Sequence, residues 1–368
     1  MHHFSQGINT KQAHKAIPDG HFEEEQGHLG FFGPVSHLIR KQPSTRWTNI
    51  DGPLKPRLYD LVEYKSTDQW QRLLFNDSVS IGYQHVTVKS ADQLVGERNA
   101  DGDIVYFCHQ GSGQILSEYG QLDYRRGHYV IIPKCVTYTV NATEPTTFLT
   151  IENRTSHYVE PDRGIVGRHA VFDVNAIGKP NLEVQESTLS SAGIDIKQIR
   201  VKHCDELTTY SFSSNVYDVV GWKGDLFPYT LHMDDMMPLM SHRAHLPPSA
   251  HSTFVARDFV ICTFLPRPLE HDEDALKVPF YHQNIDYDEV LFYHDGDFFS
   301  RDNLHAGMMT FHPAGFPHGP HPKAIEAVKT KTETKEYAVM IDTRWPLKQD
   351  NFLGSVEVKD YWKSWQTK

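Results

Sequence analysis

The chain has 368 residues, 39% of them hydrophobic, and a net charge of −11. That length allows one large domain or two medium ones with buried cores, and the negative balance, without any run of Lys and Arg against it, disfavours nucleic acid or an anionic membrane as partner. Cys108, Cys135, Cys204 and Cys262 stand far apart with no CxxC, so neither a disulfide framework nor a thiolate metal site is expected, and the absence of an apolar leader or of eighteen consecutive apolar residues predicts a soluble, cytoplasmic protein.

Residues 1 to about 60 are polar with scattered Gly and Pro, which predicts an arm with a few strands draped on its own subunit or on a neighbour, and with it a homo-oligomer. From about 60 to 165 the pattern is β-rich: VSIGYQHVTV and TTFLTIEN alternate or run apolar over strand lengths. Between them the GSG turn, a second turn at Gly120 and the closing Gly127-His128-Tyr129-Val130-Ile131-Ile132-Pro133 resemble one half of a cupin. His109 and His128 have no carboxylate at ligand spacing, so this half is expected to be structural and metal-free. Residues 166 to 235 are mixed, with a short helix expected in VQESTLSSAGIDIKQI and an aromatic, turn-rich stretch from Tyr217 to Tyr229.

From about 236 the chain turns β-rich again, in STFVARDFVICTFLP, DEVLFYHDGDF, GMMTFHPAG and KEYAVMIDT. KTKTETKEY (329–337) reads as a solvated charged loop entering a strand, and the tail DYWKSWQTK as a short helix. The expected fold class is therefore mainly β: two cupin or jelly-roll-like β-barrel halves with an N-terminal arm. The arm and the metal-free half would span 1–235, and a catalytic half 236–368.

Histidine is the compositional outlier, at 23 residues. Most are assigned to the surface or to satisfied buried hydrogen bonds, but between His242 and His321 they recur beside carboxylates, Pro and Gly. His282 stands at an apparent strand end, Glu289 follows seven residues later, and His318 comes after another 29, held in Pro317-His318-Gly319-Pro320, with turns at Gly296 and Gly307 between. Two imidazoles and one carboxylate are the donor set that holds non-haem Fe(II) on one face and leaves the other open. Singly, each has an ordinary structural reading as a strand cap, a surface charge or a turn residue. Asp288 competes with Glu289, because a strand points only one of two neighbours into a mouth and parity alone does not choose. His312 could support the ligands or contact a substrate oxygen or O₂. His245, in His245-Leu246-Pro247-Pro248-Ser249, reads as a surface-loop histidine or a base at the mouth.

These stretches resemble the homogentisate 1,2-dioxygenase family. The resemblance rests on Tyr217-Asp218-Val219-Val220-Gly221-Trp222-Lys223-Gly224 with Pro228-Tyr229, on Asp258-Phe259-Val260-Ile261 with Pro266-Arg267, on Tyr281-His282-Gln283-Asn284, and on Pro317-His318-Gly319-Pro320. It covers the C-terminal 150 residues or so closely and the N-terminal half loosely, in a chain shorter than typical members. It implies iron on His282, Glu289 and His318, a base at His245, a substrate-side role for His312, trimers or hexamers, and ring cleavage of homogentisate by O₂ to maleylacetoacetate. Three departures stand out. The His282–Glu289 spacing is one residue longer than the family pattern. The family's Arg and Tyr near the substrate are here Asp295 and Phe298. Arg301 is the candidate to replace the Arg, so Phe298 and Arg301 join His312 as expected substrate contacts. Those changes keep open the same chemistry on gentisate or a simple hydroquinone; the range of divalent metals that cupin mouths accept keeps open an isomerase or hydrolase using Mn or Zn, and the metal-free first half keeps open a non-catalytic binding module.

Overall fold

The computed structural model describes residues 4–64, 68, 70–277, 280–298 and 303–366. The chain is mainly β. The strands run in order β1 Phe22–Gly27, β2 Val35–Arg40, β3 Arg57–Asp60, β4 Trp70–Phe75, β5 Val79–Val86, β6 Gly96–Asn99, β7 Asp103–Gln110, β8 Ser112–Ser117, β9 Leu122–Arg125, β10 His128–Ile132, β11 Thr137–Ala142 and β12 Thr146–Asn153. Helix α1, Leu182–Ala192, follows, then β13 Gln198–His203, β14 Glu206–Ser211, β15 Tyr229–His232, β16 Ser252–Val255, β17 Phe259–Phe264, β18 Tyr281–Asn284, β19 Asp288–Asp297, β20 Met308–His312, the short helix α2 Pro322–Val328, β21 Lys335–Thr343 and β22 Lys348–Gln349.

Two compact units result. The first comprises the chain from after Tyr64 to Met237, with Lys348–Asp350; the second comprises the chain up to Tyr64, Pro238–Leu347 and the chain from Asn351 on. In the first, one sheet has the order β15-β10-β7-β12-β5-β4-β22 and the other β14-β13-β6-β11-β8-β9. Side chains of both sheets meet in one core: Tyr106, Cys108, Val130, Ile132 and Phe148 from the former, Ile115, Leu122, Tyr124 and Tyr138 from the latter. Strand alternation produces this directly. In β9, Leu122 and Tyr124 are buried while Asp123 and Arg125 face solvent. α1 starts where the Asn181 side chain accepts from Val184 N–H and stops at Gly193 in the left-handed conformation.

The second unit is built on a sheet of order β16-β17-β21-β19-β20-β3. Its core gathers Leu58, Val260, Cys262, Leu291, Tyr293, Phe298, Met308 and Met340, closed by Tyr361 and Trp365 of a terminal 3₁₀ turn over Tyr361–Trp365. A second, three-stranded sheet has the order β18-β1-β2. The arm thus lies on its own chain: β1 runs parallel to β18, with Glu25 opposite His282, and β3 pairs antiparallel with β20. Residues up to Tyr64, which the 1–235 reading places with the metal-free half, thus group with the C-terminal unit; their polar composition conceals strands that pair with its sheets. Gly296, expected in a turn, instead lies inside β19 beside a bulge at φ +101, where a Cβ would collide with the Lys335 carbonyl.

Candidate metal centre

Three pieces of chain converge at the site. β18 delivers His282. The segment after β20 returns alongside it, so that His282 N–H donates to His318 C=O at 2.8 Å and His318 N–H donates to His282 C=O at 2.9 Å. The approach is close enough to require a glycine next to the second histidine: a Cβ on Gly319 would stand 2.7 Å from the Tyr281 ring and 2.9 Å from Tyr281 Cα. β19 delivers Glu289 from the centre of the sheet, flanked by His312 on β20 and Asp342 on β21. Cross-strand partners share a face, so these three side chains lie together.

Pairing decides between Asp288 and Glu289. Asp288 faces the other way, where its carboxylate accepts from the backbone N–H groups of Ala314 and Leu347, each at 2.7 Å. Glu289 Oε2 lies 3.5 Å from His282 Nε2 and 3.4 Å from His318 Nε2, and Oε1 lies 2.8 Å from His312 Nδ1. One ligand-type atom from each of His282, Glu289 and His318 falls within 4.8 Å of the others.

Hydrogen bonding fixes the ring tautomers. His282 Nδ1 donates to Phe280 C=O at 3.1 Å and His318 Nδ1 to Phe316 C=O at 3.0 Å. That leaves both Nε2 atoms as lone-pair donors aimed at Glu289; both are buried and neither has a hydrogen-bond partner. Buried polar atoms are normally satisfied, and two orphaned imidazole nitrogens converging with a carboxylate are what a transition-metal ion would satisfy. Burial opposes ionisation of Glu289, but the imidazoles gathered around its carboxylate, His318 foremost, hold its pKa well below the usual carboxylate range. Burial, with Glu289 beside it, pushes Asp342 well above that range.

A cavity of about 90 Å³ opens beside the cluster, lined among others by His245, Arg267, Lys277, Phe280, His282 and Glu289. His245 Nδ1 lies 2.9 Å from Glu270 Oε1, which also accepts from Arg267 Nη1 at 3.2 Å. With Nδ1 donating to Glu270, the Nε2 of His245 carries the lone pair. Burial lowers the His245 pKa below 6.5 even though Glu270 raises it, so the ring is neutral at pH 7.

The structure therefore brings His282, Glu289, His318 and His312 together and places His245 on the wall of the adjoining cavity. Phe298 is elsewhere: it is buried in the core with its ring 4.9 Å from Tyr293, and it is not among the residues lining the cavity. Arg301 lies outside the described residues. Glu270, Arg267, Asp342 and Lys277 were not singled out for this site from the sequence. Glu270 and Asp342 carry no local motif; Arg267 was seen only as part of a family stretch.

Family models described as homogentisate 1,2-dioxygenase N-terminal and C-terminal match residues 44–233 and 230–368. The chain belongs to the homogentisate 1,2-dioxygenase family. The likeness extends through the N-terminal half, where sequence motifs alone gave only a loose match. A chain of Saccharolobus solfataricus named as a dioxygenase is 32% identical over 98% of each protein. The homogentisate 1,2-dioxygenases of Drosophila melanogaster and Dictyostelium discoideum are 27% and 25% identical over 62% and 73% of this chain. Those matches span only 52% and 64% of the two relatives. Among solved structures, a cupin 2 conserved barrel domain protein from Leptotrichia buccalis is similar with a TM-score of 0.38 at 11% identity, over 78% of this chain and 95% of that one. A Bacillus subtilis oxalate decarboxylase mutant is similar with a TM-score of 0.37 at 10% identity, over 83% and 81%.

Proposed function

We propose that this chain is an Fe(II)-dependent ring-cleaving dioxygenase acting on homogentisate with O₂. The observation that carries the reading is the convergence of two orphaned, buried imidazole nitrogens, His282 Nε2 and His318 Nε2, on the Glu289 carboxylate. His282, His318 and Glu289 would hold the metal, which when bound supplies a Lewis-acid and redox centre with positions left for a hydroquinone oxygen and O₂. His312 fixes the carboxylate by donating to its other oxygen, leaving Oε2 to face the two imidazoles. His245, neutral and oriented by Glu270, takes a proton from a ring hydroxyl of substrate in the cavity. Phe280 provides an apolar wall, and Lys277 offers a cation for the carboxylate of the substrate's side chain, Arg267 being engaged with Glu270.

The family membership supports a dioxygenase. Homogentisate as the substrate rests on the family and on Lys277. A second reading is the same chemistry on gentisate or an unsubstituted hydroquinone. It is favoured by Asp295 standing where the family has Arg and by the placement of Phe298 in the core rather than in the cavity. The test is anaerobic reconstitution with Fe(II), followed by oxygen uptake with homogentisate and a record of the product's near-ultraviolet absorbance. Uptake of one O₂ per homogentisate is expected. An iron-loaded protein inert to homogentisate but active on gentisate or hydroquinone would reject the substrate and keep the chemistry.

A further inference from the structure

A second cluster of the same donor types lies in the N-terminal arm. β1 places Glu23 and Glu25 on one face, since they are two residues apart on a strand, while Glu24 on the other face pairs with Arg40. β2 places His37 directly opposite Glu25. His14 arrives from the preceding loop with a left-handed backbone, φ +59. That conformation is held by its N–H donating to Glu23 Oε2 at 2.8 Å, by its carbonyl accepting from Leu276 N–H, and by its ring stacking on Phe280 at 4.0 Å. Strained backbone held on three sides marks a position kept for its side chain.

The two histidines present the same ends. His14 Nδ1 is 3.2 Å from Glu23 Oε2, and His37 Nδ1 is 3.0 Å from Glu23 Oε1. Both Nε2 atoms turn instead to Glu25 Oε2, at 3.1 Å from His14 and 3.5 Å from His37. His14 Nδ1, His37 Nδ1 and Glu23 Oε1 are buried atoms without a hydrogen-bond partner. His14 and Glu23 are each only 2% exposed. This is the layout of a metal centre with its supporting shell: the inward nitrogens and one carboxylate as donors, and the outward ring nitrogens oriented by a second carboxylate. One ligand-type atom from each of His14, Glu23 and His37 lies within 4.8 Å of the others, and the two nitrogen–oxygen distances, each to a different Glu23 oxygen, are near the about 3.4 Å between ligands of a tetrahedral ion. His37 is partly exposed, at 22% of its side chain, which leaves a path for an ion and a position for water.

We propose that His14, Glu23 and His37, supported by Glu25, form a second site for a divalent first-row transition metal of the zinc class, separate from the His282–Glu289–His318 centre. Two carboxylates buried with two imidazoles need a compensating positive charge, and a divalent ion supplies it where the alternative is a protonated His14. The donor set of two nitrogens and one carboxylate oxygen, with a fourth position open, suits zinc-type ions. The site ties three separate points of the arm together behind Phe280, whose ring is also 5.2 Å from that of His282 and 6.0 Å from that of His245. Its ion would hold that cavity wall in place.

The test uses the full chain stripped of metal and titrated anaerobically with Co²⁺, following bound metal after gel filtration and the visible absorption of the bound ion. Two ions per chain are expected for the wild type and one each for His37→Ala, Glu23→Gln and His318→Ala. Circular dichroism establishes that each variant is folded, and the near-isosteric Glu23→Gln serves should His37→Ala fail. A wild type that takes up one ion, lost in His318→Ala and kept in His37→Ala and Glu23→Gln, overturns the second site and leaves a protonated His14 as its cation. Two ions undisturbed by His37→Ala and Glu23→Gln overturn it too. One ion lost in His37→Ala and kept in His318→Ala upholds the arm site and overturns the proposed iron centre. Uptake of none overturns both.

Discussion

Glu289 carries the site at the scale of single residues, because both its oxygens face imidazoles, Oε2 those of His282 and His318 and Oε1 that of His312. Removing one nitrogen donor leaves a buried carboxylate facing a hole, so His318→Ala is expected to lose stoichiometric iron and all ring cleavage while remaining folded. Metal analysis after reconstitution checks it, and full activity with one iron per chain in that variant would overturn the ligand assignment. His245 acts at one remove from the metal. His245→Ala should retain iron and lose about 10²-fold or more in turnover, the ordinary contribution of a general base. Its pH signature has a defined sign. In the proposed mechanism the neutral ring is the active form, and burial lowers its pKa, so the acid limb of kcat/KM should lie at lower pH than for an ordinary imidazole. Glu270 raises that pKa, and Glu270→Gln should therefore shift the acid limb to lower pH while also reducing turnover through the lost orientation. An unshifted limb would show that Glu270 does not act through His245. Lys277→Met should raise KM for homogentisate with a smaller change in kcat, and should leave KM for an uncharged hydroquinone unchanged; equal KM changes for both substrates would remove Lys277 as the carboxylate anchor.

At the scale of elements, the site depends on how closely two backbones approach. The reciprocal hydrogen bonds between His282 and His318 hold only while Gly319 carries no Cβ. Gly319→Ala is expected to cost about 1–3 kcal/mol, the usual range for overpacking a tight contact, and to weaken iron retention; equilibrium denaturation and metal analysis measure the two effects. Phe298 belongs to the core of the same unit. Phe298→Ala should cost about 3–5 kcal/mol as a buried ring lost to a cavity and leave KM for homogentisate unchanged. A raised KM in a stable variant would return Phe298 to the substrate. Much at this scale was legible beforehand. Strands at VSIGYQHV and TTFLTIEN follow from alternation; the short helix expected within VQESTLSSAGIDIKQI is found at Leu182–Ala192, and the short helix expected in the tail is a 3₁₀ turn at Tyr361–Trp365. The choice of Glu289 over Asp288 was not legible, because both have consistent parity until the strand's neighbours are known. Only the pairing of β19 with β20 and β21 sets which face meets His312 and Asp342.

At the scale of the whole molecule, no helix among the described residues is long and apolar enough to cross a membrane. A metal held by the proposed centre would bind the folded state and so stabilise it. Chelation should lower the melting temperature, and iron at about 100 times its dissociation constant should restore about 2.7 kcal/mol; a melting curve indifferent to chelator would argue against metal in the native fold. The sequence by itself determined the β class and the family, and it singled out the YHQN and PHGP histidines as candidate ligands. These signals are local: each is a few residues whose turn chemistry or side-chain type has meaning in isolation. Only the tertiary structure decided the arm's place, the carboxylate's face and the partners Glu270 and Asp342. It alone brought His14, Glu23 and His37 into one cluster behind Phe280. Those depend on strands far apart in the chain lying side by side, as when Glu25 is set opposite His282. No short stretch of sequence encodes which distant edge a strand will join, because that is settled by the burial and pairing of the whole sheet.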